Sequence, residues 1–427
     1  MANRISMQSQ KLPLDGGTST IRAHALLIPI LCVLSMVIEG IDSNVISYVG
    51  PIIKDEFGFS GPVLGLIYSA TVISSLLGAA GVAPLSDHLG RRPVMLAATM
   101  VLAMATLLTP SLTNAWELFA VRLVVGVAFG AAVPTTFALA ADYAPPGRRA
   151  FVIMIVTAGV ALGYVVAGYA SALVIPHWGW RALMYLAGSV SLSWAVTLFV
   201  VLPRSLTTGS ADRAELQRTA VGIAWYQRPA KLFTRELRTR TILIWFIVSC
   251  AYAAELLVAF WFPAMLLKSG YSIAQAASIT ATGKIASIVG SALIGLIMDR
   301  YGIGRTLMFA FFLTALAFLA LSASFSWPFL FVALIVVGYF LLDGSFAGSQ
   351  ALAVASYPAE LRATASGWIT GFARLIGGGA GTLAGGALIG GASAAGVTII
   401  IASTMFVAGA AQWFYARLDT PRPDRMR

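Results

Sequence analysis

Charge is what this chain has little of. Asp, Glu, Lys and Arg together make up 11% of its 427 residues, against roughly a quarter in an ordinary soluble domain. Hydrophobic residues make up 59%. That is more apolar surface than a water-soluble fold can cover, so a soluble enzyme or binding module is excluded and lipid is the solvent for most of the chain. The two cysteines, Cys32 and Cys250, fall in separate apolar runs without ligand spacing, so their expected role is packing. The three histidines, His24, His88 and His177, lie near the ends of such runs, and none is placed for a metal or a buried catalytic centre. No cofactor is called for. Missing too is the alternation of apolar and polar residues over about ten-residue strands that an outer-membrane barrel needs. The first 22 residues are polar and the apolar run behind them is too long for a signal-peptide core, so no cleavable signal is expected.

What is present is a series of long apolar runs. A spanning helix needs about 20 apolar residues. Twelve candidates lie near 25–49, 62–84, 93–112, 116–141, 150–174, 180–202, 241–266, 273–298, 305–324, 328–355, 365–390 and 394–416. The fold class expected is an all-α membrane protein of twelve transmembrane helices in two six-helix bundles, 25–202 and 241–416. A polar, basic linker at 203–240 joins them, and short tails at 1–24 and 417–427 flank them. Ala230 to Arg240 reads as an amphipathic helix on the inner surface. With the amino terminus inside, 22 of the 28 Lys and Arg residues fall in tails and loops on one face, and the opposite loops hold only Lys54 and Lys268. Such asymmetry is the positive-inside rule at work. The net charge of +11 is therefore topology, and a nucleic-acid partner is not expected. Both termini are placed in the cytoplasm.

The two halves repeat one design. Ala83-Pro-Leu-Ser-Asp87-His-Leu-Gly90-Arg91-Arg92 returns 212 residues later as Gly295-Leu-Ile-Met-Asp299-Arg300-Tyr-Gly302, and Asp42 maps onto Glu255 with nearly the same offset. Duplicated bundles point to a transporter that rocks one half against the other. These motifs resemble the loop pattern G-x-L-x-D-x-x-G-R-[RK] of the major facilitator superfamily, with Ala83 in place of the first Gly. Glu39-Gly-Ile-Asp42 resembles the D-G-[FY]-D signature of its aromatic acid:proton symporters. Arg122-Leu-Val-Val-Gly126, Asp142-Tyr-Ala-Pro145, Tyr357-Pro-Ala-Glu-Leu-Arg362 and Gly371-Phe-Ala-Arg374 are similar to further stretches of that group. The resemblance implies proton-coupled uptake of a small, aromatic carboxylate across a bacterial inner membrane, with a single chain functioning alone. Efflux by proton antiport and exchange of a dicarboxylate or other organic anion remain open. Uptake is favoured because helix 5 carries Gly159, Gly163 and Gly168 without a Gly-Pro pair.

Seven charges fall inside predicted spans: Glu39, Asp42, Arg122, Glu255, Lys284, Asp343 and Arg374. Each costs several kcal/mol to keep unpaired in hydrocarbon. Glu39 and Asp42 share a helix face, and two close carboxylates in a poorly hydrated place cannot both ionise easily. With Arg122 as the counter-ion implied by the resemblance, they are the candidates for proton coupling, and a static salt-bridge network is the alternative. Arg374 offers a bidentate fork for a carboxylate. Arg374 and Lys284, with Glu255 and Asp343 beside them, are the candidate substrate site; pairing of the two cations with those acids is the alternative. Asp87, Arg91, Arg92, Asp142, Asp299 and Arg300 are the candidate conformational latch, with Arg91 or Arg92 expected to pair with Asp142. Tyr68, Tyr164, Trp261 and Phe372 can stack on a ring or simply pack.

Overall fold

The computed structural model describes residues 17–144, 149–203, 232–235, 237–324, 327–357, 361–391 and 393–419. Its first half comprises α1 (Gly17–Phe57), α2 (Gly61–Leu77), α3 (Arg91–Leu108) and α4 (Ala115–Asp142), then α5 over 149–178 and α6 over 180–201, divided at Gly179 (φ 78°). Its second half comprises α7 (Arg238–Lys268), α8 (Ile273–Tyr301), α9 (Ile303–Ser322) and α10 (Pro328–Ala355). α11 then runs through Arg362–Ala373, a π-turn at Arg374–Gly379 and Ala380–Gly391, and α12 is Ala394–Asp419. Ten described stretches are long and apolar enough to cross a membrane. One of them contains both α5 and α6, and α11, interrupted by its π-turn, completes the twelve.

The helices outrun the apolar runs that announced them. The first apolar run ends near 49, but α1 continues through Pro51 and the polar Lys54-Asp55-Glu56 to Phe57. Glu56 has a reason to be helical, because it accepts from Trp180 Nε1 at 2.7 Å and from Arg181 Nη2 at 2.6 Å at the start of α6. Of the surface helix expected over Ala230–Arg240, residues 232–235 and 237 are not helical and Arg238–Arg240 instead open α7. Residues 232–235 are turns, Leu232 is buried, and its carbonyl accepts from Thr241 Oγ1 at 2.8 Å.

The internal repeat is written into the backbone. Gly58 and Gly90 have φ of 69° and 93°, and Gly270 and Gly302, each 212 residues on, have φ of 91° and 89°. A left-handed residue costs glycine nothing. It lets α3 and α9 turn back directly after the two loop motifs.

Small residues set the closest approaches within a bundle. A Cβ on Gly163 of α5 would overlap the Val37 carbonyl and the Gly40 Cα of α1, and one on Gly126 of α4 would overlap the Thr71 carbonyl of α2. Gly163→Leu is therefore expected to cost at least about 1–3 kcal/mol of stability by overpacking. Thermal melting of the detergent-purified protein measures this, and an unchanged midpoint would contradict the packing assigned to α1 and α5.

The bundles meet at the end that carries the α1–α2 and α7–α8 turns. Tyr48 and Thr280 hydroxyls lie 3.0 Å apart, as do those of Tyr169 and Thr282, and Ser69 Oγ lies 2.6 Å from Thr382 Oγ1. Tyr68 stacks on Phe260 at 4.9 Å and meets Trp261 edge-on at 5.0 Å.

Candidate functional site

The seven intramembrane charges separate into two groups, one in each bundle. In the first, α1 carries Glu39 and Asp42 one turn apart, both buried. Asp42 Oδ2 accepts from Ser191 Oγ of α6 at 2.6 Å, whereas neither oxygen of Glu39 has a hydrogen-bond partner. Arg122 is buried on α4 and donates to Thr109 Oγ1 at 2.9 Å. Among the described residues no ion pair joins Arg122 to either acid. The static network considered from the sequence is thus not made, and the acids are left with hydroxyl contacts or none.

The second group is tightly paired. Lys284 Nζ of α8 donates to Glu255 Oε1 of α7 at 2.7 Å and to Asp343 Oδ2 of α10 at 3.0 Å. The rings of Tyr164 and Tyr339 flank the ammonium at 5.6 and 5.5 Å, within range of a cation–π attraction. One acid alone would balance the lysine, so this triad carries an excess negative charge if all three are ionised. Glu255 Oε2 is buried without a partner.

Arg374 is placed differently. It opens the π-turn of α11, a local widening common at functional positions, and close approach at Gly377 to the Ser249 carbonyl brings that turn against α7. Its Nε donates to Tyr252 OH at 3.3 Å, and among the described residues it has no carboxylate partner. Tyr252 in turn meets Phe346 edge-on at 4.8 Å. Tyr252 and Phe346 stand three residues from Glu255 and Asp343 on their helices, hence on the same faces. The Tyr164 phenol, whose ring flanks the Lys284 ammonium, also interacts electrostatically with Arg374, so the guanidinium and the triad share this neighbour.

Of the latch candidates, Arg91 Nη1 and Asp142 Oδ2 meet at 2.6 Å as expected. The pair ties α3 to α4 inside one bundle. Arg92 instead donates to the Phe199 and Leu202 carbonyls at the end of α6, at 2.6 and 2.9 Å. Asp299 and Arg300 are exposed, with Arg300 over the Tyr301 ring at 5.7 Å. The Asp87 side chain lies outside the described residues. Tyr68 and Trp261 pack in the seal between the bundles, Tyr164 stays beside Lys284, and Phe372 lies 4.5 Å from Trp245.

Sequence reasoning missed Ser191, Thr109, Tyr252 and Phe346. The last two share a helix face with an intramembrane acid three residues away, which was the available signal. Ser191 and Thr109 gave none, since serines and threonines occur throughout the spans.

The model of the Major Facilitator Superfamily matches residues 32–382, and again 244–426. The chain belongs to that superfamily. It is a membrane transporter, not an enzyme. A gallate transporter of Pseudomonas putida is 30% identical over 389 residues, covering 86% of each chain. The 4-hydroxybenzoate transporter PcaK of Pseudomonas aeruginosa is 26% identical over 369 residues, covering 81% of this chain and 82% of its own. Among solved structures, a bacterial homolog of the human lysosomal transporter Spinster, inward-facing and unoccupied, superposes with a TM-score of 0.74 at 16% identity, over 94% of this chain and 99% of its own. The nucleoside transporter NupG superposes with a TM-score of 0.69 at 17% identity, over 92% and 99%. These two likenesses show the fold.

Proposed function

We propose that this transporter imports a small aromatic carboxylate with protons, by alternating access, across a bacterial inner membrane. Arg374 carries the reading. It is a cation deep in the span, held by a phenol and, among the described residues, left without an acid, so an incoming carboxylate is its natural partner. Lys284 is occupied by Glu255 and Asp343, and these three line the site beside Arg374. The rings of Tyr252, Phe346 and Tyr164 supply apolar walls suited to an aromatic substrate. Similarity to carriers of gallate, 4-hydroxybenzoate and gentisate supports the same class. Glu39 and Asp42, with Arg122 nearby, take and release the proton.

In this reading 25–202 and 241–416 are the two moving bundles, 203–240 is a cytoplasmic linker, and the tails 1–24 and 417–427 lie inside. One chain suffices for transport. The positive-inside rule puts the α2–α3 and α8–α9 connections in the cytoplasm. The sealed end then faces outward and the conformation is open inward. Uptake of labelled benzoate, 4-hydroxybenzoate, gallate and a dicarboxylate into proteoliposomes tests this. Accumulation of an aromatic acid driven by an inwardly directed proton gradient is expected. Accumulation of the dicarboxylate alone, or none of the aromatic acids, would overturn it.

A further inference from the structure

The four intramembrane charges of the carboxy-terminal bundle balance only while Arg374 is free. Lys284 and Arg374 contribute two positive charges, Glu255 and Asp343 two negative ones. A carboxylate bound to Arg374 cancels that cation and leaves one surplus negative charge on Glu255, Asp343 and Lys284. No further cation is close by among the described residues. The groups facing the triad are the neutral phenols of Tyr164 from α5, Tyr339 from α10 and Tyr252 from α7, and that of Tyr48 from α1, which reaches Thr280 one turn along α8. A buried, uncompensated charge in the middle of a bilayer costs several kcal/mol, so its compensation should follow the anion into the site.

We propose that Glu255 and Asp343, sharing Lys284, form a second proton site that fills when a substrate carboxylate neutralises Arg374. Glu255 Oε2, buried and unpartnered, is the atom that receives the proton. Carboxylate plus aqueous proton gives carboxylic acid, and Asp343 alone then pairs with Lys284. When the substrate leaves Arg374, the guanidinium is restored and repels the proton back to water. Substrate and proton each raise the other's affinity by the same factor, as linkage requires. The site differs from Glu39 and Asp42, which lie in the other bundle and have no cation balance that substrate at Arg374 would upset. This inference rests on the anion-binding role given above to Arg374, but its first test needs no substrate.

Arg374→Gln removes the same charge that a bound carboxylate would cancel. In infrared difference spectra of the substrate-free full-length protein, this variant should gain a protonated-carboxyl C=O band relative to wild type. Arg374→Lys should not gain it. Adding Glu255→Gln or Asp343→Asn to Arg374→Gln should remove the band, because either leaves one acid for one lysine, whereas adding Glu39→Gln should leave the gain intact. A second measurement follows 4-hydroxybenzoate binding to the purified wild-type protein as pH rises. Uptake of one proton on binding weakens affinity about tenfold per pH unit, and Glu255→Gln should lower that slope by about one. No gained band in Arg374→Gln, a band that survives in the double variants, or an unchanged pH slope in Glu255→Gln would each overturn the second proton site. If 4-hydroxybenzoate and its analogues fail to bind wild type, the substrate class fails, and the infrared result still decides the proton site.

Discussion

Arg374→Ala is expected to lower affinity for an aromatic carboxylate by roughly ten- to a hundredfold, since a hydrogen bond to a charged group contributes about 1.5–3 kcal/mol. Arg374→Lys should fall between Ala and wild type. It keeps the charge but loses the planar fork that meets both carboxylate oxygens. The Tyr252 contact alone does not explain such a loss, because it uses only Nε and leaves the terminal nitrogens to the ligand. The amide of the same acid provides the control. It should bind wild type poorly and be almost indifferent to the substitutions. Binding of acid and amide to the three proteins forms a cycle that isolates the Arg–carboxylate coupling. Equal losses for acid and amide would show that Arg374 supports the helix bundle and that the substrate need not be an anion.

Abolished gradient-driven accumulation is the expected result for Glu39→Gln or Asp42→Asn, with counterflow exchange retained. An amide cannot release a proton, yet it occupies nearly the same volume in a packed helix face. The surroundings differ between the two positions. Asp42 is held by the Ser191 hydroxyl at 2.6 Å, while among the described residues Glu39 has neither a hydrogen-bond partner nor an ion-pair partner. An ionised carboxylate in Glu39's position has nothing to offset its loss of water, so a proton is its natural companion whenever the site is closed. Paired measurements in proteoliposomes, uptake under an imposed pH gradient and exchange at equal pH, separate coupling from folding damage. Normal accumulation by both variants would remove helix 1 from the coupling mechanism.

Much of this architecture was legible from composition and spacing. Twelve apolar runs, a basic bias on one face and motifs 212 residues apart define a duplicated bundle, because hydrocarbon tolerates neither exposed backbone nor unpaired charge. The glycines that pair by that same offset, Gly58 with Gly270 and Gly90 with Gly302, show the repeat again in positive φ. The helix ends were less legible. α1 continues beyond its apolar run because Glu56 gains Trp180 and Arg181 as partners, contacts made by a helix more than a hundred residues away.

Which charges lie buried in the spans could likewise be read from the sequence; who pairs with whom could not. Lys284 and Arg374 look equivalent as isolated cations in apolar runs. They differ only because α7 and α10 turn Glu255 and Asp343 onto Lys284, while the π-turn of α11 sets Arg374 beside Tyr252. Arg122 is the counter-ion implied for Glu39 and Asp42; it interacts with Asp42 without a direct ion pair, and Thr109 and Ser191 make the direct hydrogen bonds. Partner choice depends on helix rotation and on approach distances of a few ångströms. Those are set where glycines let backbones close up, between residues far apart in the chain. Sequence by itself determined the class, the repeat and the buried charges, since each follows from the cost of polar groups in lipid. Only the tertiary structure decided which of those charges pair with one another.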